Sequence, residues 1–162
     1  MGPGSWSDVM HRLLDGTEQF DTIHWGYRPV LAVERDLPER TTAPLENILV
    51  KPYYKGLMDT GRAILSVDAW YELEDTGRDA KRWRFQHQSG ELALVAVVAR
   101  WEVYGHQPPG AGFAIVMYGG RPAILAPEDA RQWLDLSLSA NRVACLVRDK
   151  ILPGSQFVRT EN

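Results

Sequence analysis

Residues 62–74 read "RAILSVDAWYELE". Two strand-like runs meet here, 62–67 and 69–74. No turn chemistry separates them, so they read as two strands or as one bent strand. Glu72 is the anomaly, a carboxylate set among Trp70, Tyr71 and Leu73, whose side chains gain by burial. Either the strand lies at a sheet edge with Glu72 in water, or Glu72 is held in a pocket where an ionisable group has work to do.

Downstream the pattern stays β-rich. "DTGRDAK" (75–81) is a hairpin-type connection. "RWRFQHQ" (82–88) alternates, with Trp83 and Phe85 on one face and Arg82, Arg84 and Gln86 on the other. "LALVAVVARWEVY" (92–104) is apolar enough for a strand buried on both faces. "GHQPPGAG" (105–112) reads as a loop, "FAIVMY" (113–118) as a buried strand, Gly119–Gly120 as a tight turn and "RPAIL" (121–125) as its hairpin partner. "PEDARQWLDL" (127–136) opens a helix with Pro127 in the first turn and Glu128 and Asp129 at the positive dipole end. "SANRVACLVRDK" (139–150) is a second helix, and "LPGSQFVRT" (152–160) is a loop followed by a strand.

Upstream, "SWSDVMHRLLDG" (5–16) reads as a short helix, with Val9, Met10, Leu13 and Leu14 as its apolar stripe and Gly16 as its stop. "FDTIHWGYRP" (20–29) is a strand ending in a turn at Arg28–Pro29. "VERDLPERTTAP" (33–44) is a loop. Pro52 forbids one continuous helix through "LENILVKPYYKGLMDTG" (45–61), which leaves short helices or turns closed by Gly61. The expectation is a single α+β domain over 1–162, with residues 1–19 an N-terminal extension and helix. Its core is β-rich, a curled sheet or barrel of six or seven strands with a few short peripheral helices.

Bulk numbers narrow the function classes. The 162 residues are 44% hydrophobic and 24% charged, ordinary for a globular domain. A net charge of −3 argues against general capture of nucleic acid, though not against a local basic site. Cys145 stands alone among Val143, Ala144, Leu146 and Val147, so it reads as a buried structural thiol. His11, His24, His87 and His106 are scattered, so no metal is expected; no phosphate-binding glycine loop is present, and no cofactor is expected. No apolar run reaches membrane-spanning length and the opening lacks signal-peptide features, so the expectation is a cytoplasmic protein with no membrane partner.

Four elements in order carry a family resemblance: "HWGYRP" (24–29), "TAPLEN" (42–47) leading to "YKGLMDTGRAI" (54–64), "AWYELE" (69–74), and "FAIVMYGGRPAILAPEDARQWLD" (113–135). Together they resemble the SOS response-associated peptidase (SRAP) domains, which sense abasic sites in single-stranded DNA. The resemblance covers residues 20–160. It implies a curled β-rich fold with a positively charged groove. It also implies covalent capture of the abasic-site aldehyde by the amine and thiol of an N-terminal cysteine. An asparagine, a glutamate and a histidine surround that reaction, and the latter two manage its protons.

Mapped residue by residue, the family glutamate falls on Glu72. The asparagine position holds Thr42, with Ala43 and Glu46 retained and Pro44 in place of an arginine. The histidine position holds Tyr118, with Arg121 and Pro122 retained. Residue 2 is Gly2, and the family's N-terminal cysteine segment has no counterpart. Without a thiol β to the amine a thiazolidine cannot close, so the catalytic set reads as incomplete. An α-amine on Gly2 would retain only reversible Schiff-base chemistry, from what reads as a flexible tail.

The first expectation is therefore an SRAP-like domain that binds single-stranded or damaged DNA through Trp25, Arg28, Arg62 and Arg121. Arg82 and Arg84 would extend a basic stripe, and Glu72 is the surviving family position. The second is a non-catalytic protein-binding or regulatory module on the same fold, a phage or mobile-element accessory protein, with a protein partner or homodimerisation. Glu72 is either a pocket acid or is tied up by Arg62 or Arg121. Trp25 and Tyr27 either stack on bases or fill the core.

Overall fold

The computed structural model describes residues 1–101 and 110–162. His106 and the last three residues of the 92–104 run lie outside them. The chain opens with a hairpin, β1 (Trp6–Arg12) and β2 (Glu18–His24), paired antiparallel from Trp6↔His24 to Arg12↔Glu18. This corrects the helix expected over 5–16. The period that decides is 2, not 3.6: Ser7, Val9 and His11 turn inward while Leu13 is 37% and Leu14 95% exposed, so the supposed stripe is split and only Val9 of it is fully buried. Gly16, at φ +85°, closes the hairpin turn instead of a helix, and the Asp15 side chain accepts from Thr17 N.

Short helices follow, α1 (Val30–Glu34), α2 (Leu45–Val50) and α3 (Leu57–Thr60), with a 3-10 turn at Pro52–Tyr54 where the proline was expected to interrupt. A short strand, β3 (Thr42–Pro44), stands before α2. The stretch 62–74 resolves into two strands in different sheets, β4 (Arg62–Val67) and β5 (Trp70–Asp75). Then come β6 (Ala80–His87), β7 (Ala93–Arg100), β8 (Gly112–Tyr118), β9 (Arg121–Pro122), β10 (Ile124–Leu125), α4 (Pro127–Leu134), α5 (Ala140–Lys150) and β11 (Phe157–Glu161).

The main sheet runs β2-β1-β4-β7-β8-β3, with β9 on β8 and β10 on β7. It is curled but open, not closed into a barrel. Among the described residues β3 and β8 are the one parallel strand pair, beside an isolated parallel bridge between Trp25 and Phe113. A second sheet runs β11-β6-β5. The β strands among the described residues number eleven, more than the six or seven expected: β1 replaces an expected helix, β3 falls in an expected loop and is too short to show a period, and the expected partner strand over 121–125 divides into β9 and β10.

Both faces of the main sheet are buried, as the composition of β7 requires. Ile64, Ala96, Val98, Ala114 and Val116 face the helices with Trp133, Val143 and Val147. Val9, Ala63, Leu65, Val95, Val97 and Phe113 form a second cluster on the other side, on which Trp25, Ile115, Trp70 and Phe157 pack. Trp133, fully buried, donates from Nε1 to Ala63 O at 2.9 Å and so ties α4 to β4. Glycine is required where Gly26 crosses Gly112. A Cβ on Gly112, at φ +141°, would lie 1.9 Å from Gly26 O. Cys145 is exposed on α5, one position off the buried Val143–Ala144–Val147 stripe, which corrects the buried-thiol expectation.

Candidate functional site

The turnless passage at Asp68–Ala69 moves the chain from one sheet to the other, and this exposes the strand that carries Glu72. On β5, register with β6 puts Trp70, Glu72 and Glu74 on one face, opposite Phe85, Trp83 and Lys81. Trp70 stacks on Phe85 (centroids 5.2 Å, 11° between planes) and takes Phe157 of β11 edge-on at 4.9 Å. These rings, with Arg121, Pro122, Ile124 and Gly154, wall a pocket of about 150 Å³ beside Glu72. That volume has room for several waters or for one ring-sized group.

Glu72 Oε1 accepts from Trp70 Nε1 at 3.0 Å. Among the described residues Glu72 forms no ion pair, so neither expected arginine ties it up. Arg121 is anchored instead by donating from Nη1 to Leu152 O at 2.7 Å, and its other donors have no partner among the described residues. Arg62 lies elsewhere. It is 1% exposed, donates from Nη2 to Asp135 O (2.9 Å) and Leu138 O (3.0 Å), and faces the Trp133 ring. Burial pulls its pKa down, while Asp135 and Asp59 oppose that. It caps the end of α4 and has no surface to offer a strand, which corrects its place among the DNA contacts.

The remaining positions are dispersed. Thr42 is exposed on β3 and pairs with Ile115, which faces the second core cluster, whereas Tyr118 packs against the first cluster on the opposite side of β8. The two family positions therefore lie on different faces. Glu46 is exposed in the first turn of α2. Trp25 stacks parallel to Phe113 at 6.1 Å and donates from Nε1 to Thr41 O at 3.0 Å; Tyr27 is 1% exposed. Tyr27 lies in the first core cluster, and Trp25 is partly buried against the second. Arg28 donates to Leu37 O and pairs with Asp36, away from the pocket residues in sequence and contact. Arg82 and Arg84 lie on the face of their sheet opposite Glu72. The expected single stripe of arginines is therefore broken up by burial and by strand alternation.

Residues 1–5 are held rather than loose: Gly4 N donates to Trp25 O at 2.9 Å, and Ser5 bonds back to Gly2 O. Beside Tyr27, the Tyr53 hydroxyl donates to Tyr27 O (2.8 Å) and Pro38 O (2.7 Å), and its pKa is pushed up to about 12 by burial and by neighbouring Tyr54. Residue alternation in "QFVRTE" was the signal that could have placed Phe157 at the site. Gly154 carried none. Among the described residues no three His, Cys, Asp or Glu side chains converge as a metal site, and no helix is long and apolar enough to cross a membrane.

The chain is similar to the abasic site processing protein YedK of Escherichia coli (strain K12), 25% identical over 147 residues that cover 85% of this chain. It spans 64% of that relative's length. Among solved structures it is similar to a phage-related protein from Bordetella bronchiseptica. That match has TM-score 0.85 and 28% identity, and covers 100% of this chain and 80% of that one. A protein from Bacteroides thetaiotaomicron shares the fold at TM-score 0.76 and 18% identity, over 98% of this chain and 74% of that one. The family model described as SOS response associated peptidase (SRAP) matches residues 1–156, and the chain belongs to that family.

Proposed function

We propose that this domain binds single-stranded or damaged DNA at the pocket between β5 and β9, with abasic-site chemistry reduced or lost. The observation that carries the reading is the meeting of Glu72 with Arg121 and Pro122 around one aromatic-walled pocket. Those are the residues the family resemblance retains. Arg121 supplies a cation for a phosphate, the rings offer apolar walls for a sugar or base, and Glu72 is placed to accept or donate a proton beside them. The catalytic part is reduced because Thr42 stands for the asparagine, and Tyr118, at the histidine position, turns toward the helices.

Borohydride trapping on an abasic single strand tests the chemistry separately from the binding. A strand that binds but is never trapped supports a binding domain. A crosslink lost in Glu72→Gln would restore catalysis to the account, with Glu72 as its acid.

A second reading, a protein-binding module, is favoured by the outer face of the β1–β2 hairpin. Trp6 is 55% and Phe20 66% exposed there, at the open end of the main sheet. Self-association measured by sedimentation, abolished by Phe20→Ser, would move the balance toward that reading.

A further inference from the structure

The three-stranded sheet sorts its charges by strand alternation. The carboxylates Glu72, Glu74 and Glu161 all lie on the face of the pocket. There Glu74 accepts from both Trp83 Nε1 and Arg159 Nη2 at 2.6 Å, and Lys81 pairs with Glu161. The opposite face carries Tyr71 and Leu73 from β5, Arg82 and Arg84 from β6, and Val158 and Thr160 from β11. Asp75 is the one carboxylate of the three strands on that side, and it is engaged at the turn by Gly77 N.

This opposite face is open. Tyr71 is 45%, Leu73 76% and Val158 50% exposed. The Arg82 guanidinium lies 4.0 Å from the centre of the Tyr71 ring, and Arg84 donates to Gln86 Oε1. Neither arginine has an ion-pair partner among the described residues. In a chain of net charge −3, two such cations beside an exposed ring and aliphatic side chains form a local surface of opposite sign.

We infer that this face is a second contact for single-stranded nucleic acid, separate from the pocket. Guanidinium groups meet phosphates, while the tyrosine ring and the planar guanidinium stacked on it offer a platform to a base. A second copy of the chain is disfavoured, because it would bring Arg82 and Arg84 against their own equivalents. Continuity favours a strand: Tyr71 and Glu72 are neighbours on β5, the edge of its sheet, so a chain leaving the pocket crosses one strand to reach Tyr71. This inference rests on the pocket reading above.

The test compares a short oligonucleotide of about six bases, enough for one site, with a long one of about 20. Binding to the native chain is set beside Arg82→Glu/Arg84→Glu, Arg82→Lys/Arg84→Lys and Tyr71→Leu, each checked for an unchanged melting transition. The native chain should bind the long strand at least about tenfold more tightly. The charge-reversed variant should lose that advantage, with a salt slope flatter by about 1.4 for two phosphates on a single strand. The lysine variant should keep the slope. Tyr71→Leu should lower long-strand affinity roughly fivefold or more at unchanged slope. Short-strand binding should change less than about twofold in all three. A charge-reversed variant that keeps native long-strand affinity overturns the inference and leaves the pocket reading standing. So does displacement of polyglutamate, but not of the oligonucleotide, by the same substitutions. No binding of either strand by the native chain at low salt overturns both.

Discussion

Trp70 Nε1 donates to Glu72 Oε1 across one strand position, at 3.0 Å. The bond fixes one carboxylate oxygen and leaves the other without a hydrogen-bond partner among the described residues, beside the pocket that Glu72 helps to line. Glu72 is exposed, so replacing it should cost little stability, within about 0.5 kcal/mol. Glu72→Gln should keep the fold and the binding of intact single strands and lose any preference for an abasic site. Anisotropy titrations with the two strands check this, and an unchanged preference would leave Glu72 with no part in recognition.

Arg62 is a structural residue in this account. Arg62→Met removes two charge-assisted bonds and leaves the carbonyls of Asp135 and Leu138 without a donor. The expected loss is about 2–4 kcal/mol, read from urea denaturation. Affinity of the folded fraction for DNA should not move. A weaker complex at unchanged stability would return Arg62 to the binding surface.

Tyr53 sets an alkaline limit. Its folded pKa is raised, to about 12 against an ordinary 10, because burial disfavours the phenolate. The unfolded chain loses that proton first, so this contribution is complete below about pH 10 and is lost as pH rises toward 12. Tyr27 and Tyr54 are shifted in the same direction, chiefly by burial. Tyr53→Phe should cost about 1 kcal/mol near neutral pH by removing the bonds to Tyr27 O and Pro38 O. It should also make stability fall less steeply above pH 10. Equal alkaline slopes for the two chains would contradict the assignment.

The crossing of Gly26 and Gly112 predicts a contrast. Gly112→Ala should prevent folding or cost more than about 3 kcal/mol, since its Cβ meets the Gly26 carbonyl. Gly77→Ala, at φ +79° in open space, should cost only the left-handed penalty of about 1–2 kcal/mol. Thermal unfolding of both variants decides it.

Long, strongly patterned elements were legible in the sequence. β7 and β8 announce burial on both faces by composition, α4 by Pro127 and its acidic first turn, and the β5–β6 hairpin by "DTGRDAK". The N-terminal hairpin was not, because Val9, Met10, Leu13 and Leu14 mimic a helical stripe. Only pairing with β2 reveals that Ser7, Val9 and His11 share the inward face. The pocket was half legible. Glu72 and Arg121 stood out through the family resemblance, but the aromatic wall joins β5, β6 and β11, and tertiary pairing across that separation leaves no local signature. Arg62 misled because "GRAIL" shows a charge without showing that the helix end after α4 needs it.

The central claim is that the pocket of Glu72 and Arg121 receives a single DNA strand. Titration of a fluorescent single strand at low and at physiological salt, with the native chain and with Arg121→Ala, tests it most directly. The account predicts salt-dependent binding by the native chain that weakens about tenfold or more in Arg121→Ala, the loss of one charge-assisted phosphate contact. No binding at low salt, or binding indifferent to Arg121, would contradict it.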